Sequence, residues 1–243
     1  LVGRLLRGPR VGLLLAFFLA ASSWSLTFSR IAMTGIDAVF FTLLSFYWIV
    51  RLTRSGNPRH ALWAGLAIGS GLWFYSAFRA VCLVLGLYGL IAWRWWQPRN
   101  LVTIVIIGAL MLTLAFPVIL FALQESHTFN FRYNQVTIFK TENREGQALI
   151  DTLRNNVEKH LLMFHVEGDS NGRHNLPLAP MLDPVTGALA LWGIVLMLRE
   201  PRRAENWFFV ALIPVSLTGG ILTLAFEAPH SLRSITALVS MAY

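Results

Sequence analysis

Seven apolar blocks, most of them close to the ~20 residues a helix needs to cross a ~30 Å hydrocarbon core, constrain this chain more than any motif in it. They cover 11–28, 36–52, 61–77, 80–96, 101–123, 181–198 and 207–226, and an eighth run, 231–243, is incomplete. Only 13% of the 243 residues are charged and 56% are hydrophobic, against about 25% charged in ordinary soluble domains. The expected fold is therefore all-α: a polytopic transmembrane helical bundle, with 1–243 forming a single membrane domain. The first block continues into further spans and has no small-residue cleavage site, so it reads as a spanning helix rather than a signal peptide. The chain opens on Leu1 and stops inside an apolar run, as a fragment truncated at both ends would. Its one cysteine, Cys82, excludes an internal disulfide framework and a cysteine-based zinc site.

The formal charge of +8 gains its meaning from position. With the connections between blocks taken alternately, 1–10, 51–60, 94–100 and 199–206 hold 11 of the 20 lysines and arginines. The other short connections carry single arginines, Arg30, Arg79 and Arg233, and six cations are spread through 124–180. Short basic loops mark the cytoplasmic side. The excess charge is thus a topology signal and does not point to nucleic acid.

That orientation puts "SRIAMTGID" (29–37), "FYSAFRA" around Arg79, the 124–180 loop and "EAPHSLRS" (227–234) on the extracytoplasmic face. A loop of that length in a compact domain usually has a function. Within it, "TFNFRYNQVTIFK" alternates aromatic and polar residues, which predicts an extended stretch. Between 143 and 166, Leu149, Leu153, Val157 and Leu161 recur every four residues. They predict an amphipathic helix lying on the membrane surface or on the outer ends of the spans. "EGDSNGRHNLPLAP" is turn chemistry, and Asp183 followed by Pro184 is an N-cap opening the next span.

Each polar residue on that face has a structural reading beside a functional one. Asp37 at a helix start is favoured by the helix dipole, and Arg30 can extend into the headgroups. Together with Arg79, His230 and Arg233 they also make a polar cluster, and ionisable residues at membrane depth are functional candidates. Arg79 fits an interfacial turn or a lipid phosphate, which guanidinium pairs bidentately. His230 and Arg233, three apart at the expected start of the last helix, suit an anion. His127, His160, His165 and His174 lack metal-site spacing. Trp93, Trp95 and Trp96 beside Arg94 read as an aromatic belt. There is no Walker A, dinucleotide fingerprint or nucleophile elbow.

"FSRIAMTGIDAVFFTLL" resembles the segment of the PMT/ArnT-type integral membrane glycosyltransferases, the GT-C class, in which a span ends in a Ser-Arg or Gly-Arg pair and the next starts with Asp. "GLAIGSGLWFYSAFRA", "GDSNGRHNLPLAPMLDPVTGALALWGIVLMLR" and "PHSLRSITAL" are similar to their later helices and outer loop, in the same order. The resemblance implies a GT-C-like fold and an enzyme of the cell envelope. Such an enzyme transfers a sugar from a polyprenyl-phosphate donor to a glycan, lipid or protein acceptor on the extracytoplasmic face of a bacterial-type cytoplasmic membrane. It also implies that the principal catalytic acid lies in a first outer loop upstream of Leu1, so the fragment alone is expected to be inactive. Asp37 then becomes an auxiliary acid, Arg30, Arg79, His230 and Arg233 the phosphate-binding set, and a divalent metal a cofactor of some members.

Elementary chemistry agrees with that class. Displacement at an anomeric carbon needs a base for the acceptor proton and cations for the departing phosphate. The alternatives are a transporter or flippase of a lipid-linked substrate, an enzyme resembling O-antigen ligases or polymerases, and a non-enzymatic scaffold.

Overall fold

The computed structural model describes residues 1–92, 100–144 and 146–243. Among them the chain is helical, and its only β pairing is an isolated bridge between Thr137 and Thr223. The expected aromatic belt at 93–96 lies outside the described residues.

Helix α1 (Val2–Arg7) turns into α2 (Pro9–Ala21) at Gly8, whose φ of 98° suits glycine. The block expected as one span over 11–28 is broken: α2 and α3 (Ser23–Arg30) are bent by 57°. Ser22 is extended at the break, within a serine-rich stretch whose side chains compete with helical hydrogen bonding. The bend turns Trp24 and Phe28 fully inward, and burying each contributes roughly 2–3 kcal/mol.

The next helices run back and forth. α4 (Gly35–Ser55) stops at Gly56 in the left-handed conformation. α5 (Pro58–Gly71) starts under a cap in which Asn57 Oδ1 accepts from the Arg59 amide, and α6 (Ala77–Ala92) returns. α7 (Asn100–Gln124) lies tightly on α5, because Gly65 and Gly69 present no side chain to it. A β-carbon on either would stand 2.9 Å and 2.8 Å from the β-carbons of Leu110 and Leu114.

After α7, the stretch expected to be extended is instead helical, α8 (Ser126–Val136). The amphipathic α9 (Leu149–Leu162) follows, then α10 (Pro184–Arg199), whose expected cap is present: Asp183 Oδ1 accepts from the Val185 and Thr186 amides. α11 (Ala204–Ile221) is long and apolar. In the 231–243 run, 231–236 is a series of turns and α12 (Ala237–Ala242) is helical, mostly buried.

Helices α4, α7 and α11 are long and apolar enough to cross a membrane, and the bent α2–α3 pair makes a fourth if it counts as one span. α6 and α10 are shorter apolar helices. Their common core is aromatic: Phe46 of α4 stacks on Phe208 of α11 at 3.7 Å and meets Tyr88 of α6 edge-on at 5.1 Å. Apolar faces of α7 and α10, including Phe116, Leu123, Val185 and Trp192, point outward, as surfaces that meet lipid do.

This back-and-forth path gives the bundle two unlike ends. At one, Arg7 pairs with Glu200 at 2.8 Å and Arg54 with Glu205 at 2.7 Å, and Arg54 also donates to the Leu5 carbonyl. At the other, where α3, α7 and α11 stop and α4 and α6 begin, lies a cavity.

Candidate functional site

The cavity measures about 950 Å³ and is walled by the α5–α6 junction, α8, the 169–174 turn, the end of α11 and the 226–233 segment. Aromatic and polar groups share its lining: Tyr75, Phe129, Tyr133 and Phe226 with Ser170, Asn171 and Thr218. Helix α8 explains why the aromatic alternation misled. Phe129, Arg132, Tyr133 and Val136, spaced by three and four residues, all line the cavity, whereas Phe131 is 51% exposed.

Three arginines reach this space from different elements. Arg79, at the start of α6, lies over the Phe129 ring at 4.9 Å and makes no ion pair among the described residues. Arg233 is held by Glu227 at 2.7 Å and donates to Thr223 Oγ1 at 2.6 Å. Arg132 approaches Glu227 only at 3.8 Å. Against these three cations stand two carboxylates, Glu227 and Asp169, so with neutral histidines the lining carries one net positive charge.

Asp169 is the most heavily hydrogen-bonded carboxylate at this end, and it is almost fully buried. Its Oδ2 accepts from His174 Nδ1 at 2.8 Å and from both the amide and the hydroxyl of Ser231, at 2.9 and 2.8 Å. Its Oδ1 accepts from the Asn171 amide at 2.9 Å. Burial opposes ionisation, but the hydrogen bonds from His174, Asn171 and Ser231 prevail and hold the carboxyl at about 2. Turn chemistry positions it: Asp169 and then Asn171 each accept from a backbone amide two residues on. The His174 ring has Phe28 at 5.5 Å and His230 at 4.9 Å as ring neighbours.

His230 and Arg233 are near one another, but not on a helix start as the sequence suggests. They lie in the turns before α12, with the Arg233 amide 3.5 Å from His230 Nδ1. Burial first, and then the neighbouring Arg233, push the His230 imidazole down to about 3, so it is neutral near pH 7. Its backbone amide donates to His160 Nε2 at 3.1 Å, while His160 Nδ1 donates to the Asn156 carbonyl at 2.7 Å. Burial lowers the His160 pKa as well.

Those bonds show which face of α9 meets the protein. The side facing the protein is the polar stripe Thr152, Asn156 and His160, all fully buried, and not the leucine stripe. Asn156 Nδ2 donates to the Ile221 and Thr223 carbonyls at 2.9 and 2.6 Å, satisfying the end of α11. Gly220 permits this docking, since a methyl there would overlap His160 Nε2. Ile150, Leu161 and Leu162 are left exposed.

Of the five residues expected from sequence, Arg79, His230 and Arg233 line the cavity. Arg30 and Asp37 do not: Arg30 is exposed, Asp37 sits in the first turn of α4, and no ion pair joins them. Sequence reading missed Asp169, Ser231 and the part played by His174. The cluster of Asp and Asn in "GDSNGRHN" was the available signal.

Asp169, His174 and His230 also place one potential ligand atom each within 4.8 Å of one another, although histidine spacing had argued against a metal. The group is a poor fit to a resident cation. Asp169 Oδ2 already accepts three hydrogen bonds, and His174 Nδ1 is spent on it.

The chain matches no known protein family, no curated protein and no solved structure.

Proposed function

We propose that the protein is a membrane glycosyltransferase that takes a sugar from a polyprenyl-phosphate donor, as the resemblance to PMT/ArnT-type enzymes implies. One observation carries the reading: Arg79, Arg132 and Arg233 converge, with an excess of positive charge, on a large aromatic and polar cavity at the end of an apolar bundle. A lipid phosphate needs such cations, a sugar needs aromatic and hydrogen-bonding walls, and the polyprenyl tail needs the outward apolar faces beside them.

In the reaction, an acceptor oxygen attacks the anomeric carbon and the bond to phosphate breaks. Charge builds on the departing phosphate, where the arginines stabilise it. Arg79 is best suited, having no competing carboxylate. By this reading, the basic end of the bundle is cytoplasmic and the cavity opens extracytoplasmically. The exposed leucines of α9 then lie against the outer leaflet beside the donor.

The test is to incubate membranes containing the full-length protein with undecaprenyl-phosphoryl mannose and undecaprenyl-phosphoryl arabinose, and to follow release of undecaprenyl phosphate. Release supports the transferase. Movement of these lipids between leaflets of proteoliposomes without release would replace it with a flippase.

A further inference from the structure

We propose that Glu227 sets which phosphate this site prefers: it is a displaceable counter-ion of Arg132 and Arg233 that disfavours a phosphate monoester, the product, more than a phosphodiester, the donor. The assignment rests on the glycosyl-transfer reading, in which the arginines hold the phosphate.

The two carboxylates of the cavity are held in opposite ways. Asp169 is locked by four hydrogen bonds. Glu227 Oε2 lies 2.7 Å from Arg233 Nη2 yet has no hydrogen-bond partner, and Oε1 lies 3.8 Å from Arg132 Nη2. Charge alone ties this carboxylate to the two guanidiniums. Its side chain is 23% exposed, which leaves it a way to water.

Neither arginine depends on Glu227 for its place. Arg233 also donates to Thr223 Oγ1 at 2.6 Å. Arg132 rides on α8, whose end is fastened to the end of α11: the Leu224 amide donates to the Val136 carbonyl at 3.0 Å, and the Ile138 amide to the Leu222 carbonyl at 3.2 Å. Burial pushes the Tyr75 hydroxyl up to about 12, and the nearby Arg233 and Arg132 act against that shift. Tyr75, Arg132, Glu227 and Arg233 therefore share one corner of the cavity they line.

A guanidinium pairs bidentately with phosphate oxygens, which a poorly aligned carboxylate does not match. A phosphate arriving at Arg132 and Arg233 therefore displaces Glu227, whose charge stays close and repels it. That repulsion scales with the charge on the ligand. A phosphodiester donor carries one negative charge, whereas the monoester left after transfer carries nearly two at pH 8, its second pKa being about 6. Glu227 thus opposes the product about twice as strongly as the donor in free energy, and favours its exit.

The experiment measures binding to the full-length protein in proteoliposomes at about pH 8, with undecaprenyl phosphate, undecaprenyl-phosphoryl mannose and inorganic phosphate as competing probes. Glu227→Gln should bind undecaprenyl phosphate on the order of tenfold tighter, and undecaprenyl-phosphoryl mannose only about threefold tighter. Glu227→Asp, which keeps the charge, should show neither gain. Equal gains for the two lipids, or the same gains in Glu227→Asp, overturn the assignment. Weaker binding in Glu227→Gln also overturns it, by making Glu227 a support of the arginines. Inorganic phosphate that displaces both lipids at matched concentration gives the site to free phosphate and overturns it too. The transfer reading has a separate readout, release of undecaprenyl phosphate from the donor. A wild type that releases none, while Glu227→Gln shows both gains, overturns transfer and leaves the charge discrimination in place.

Discussion

The two ends of the bundle handle charge in opposite ways. At the basic end, Arg54 and Glu205 meet across short connectors with side chains 44% and 19% exposed. Water screens that pair, and it can move without disturbing a core. At the cavity end, Asp169, Asn156 and His160 are buried, and each is hydrogen-bonded to other protein groups. Buried polar groups that are fully satisfied specify one arrangement, because losing any partner leaves an uncompensated group in a low-dielectric interior. One end can therefore serve as a set of exposed anchors, while the other has the rigidity a reaction site needs.

The sharpest way to break this contrast is to remove one cation from each end. Arg79→Ala should reduce donor turnover by about 100-fold, the usual consequence of deleting a group that stabilises developing charge, whereas Arg54→Ala should leave turnover within about twofold. Equal losses would show that the cavity has no special role.

Stability should divide the same way. Asn156→Ala leaves the Ile221 and Thr223 carbonyls without their side-chain donor and should cost about 2 kcal/mol, seen as a lower midpoint in detergent unfolding. Glu205→Gln, at the other end, should cost less than about 1 kcal/mol, with the cost shrinking as salt is added.

Acid separates the ends more gently. His160 and His230 have folded pKa values below that of an unfolded histidine, near 6.5. Their contribution to stability is complete above that value and falls as pH falls, because the unfolded chain takes up protons that the fold refuses. Hydrogen-exchange protection across 149–162, taken relative to the intrinsic rate at each pH, should therefore fall between pH 7.5 and 5, while that of the 199–206 connector, which has no histidine, stays unchanged. Asp169 adds its own loss only in stronger acid, between about 4 and about 2. The smallest effect belongs to Asp37→Asn. Since Asp37 stands outside the cavity, turnover should change by less than about twofold, and a large loss would redraw the site around the α3–α4 turn.

Much of the scaffold was legible in the chain. Apolar runs long enough to cross a bilayer had to become helices, because a backbone in hydrocarbon must satisfy its own hydrogen bonds. Asp183 with Pro184 announced the start of α10 through chemistry confined to four residues. Arg79 stood out because it interrupts an apolar sequence. Errors arose where one pattern suits two geometries. The alternation in α8 is also a stripe at helical spacing. For α9 the sequence left two settings open, the membrane surface and the outer ends of the spans, and so did not say which face turns inward. Its polar face does so because the end of α11 offers unsatisfied carbonyls that leucine cannot meet.

By itself, then, the sequence determined an all-helical chain with helices fit for a membrane, the helix starts and stops fixed by nearby residues, and a basic bias in alternate connections. Only the tertiary structure decided that Asp169, His174, Ser231 and His230 form one cluster, that three arginines face one cavity, and that Arg30 and Asp37 stand apart from it. Helix formation and capping depend on neighbours a few residues away. The Asp169–Ser231 contact spans 62 positions, and it forms only because the packing of α9 on α11 brings those two turns together.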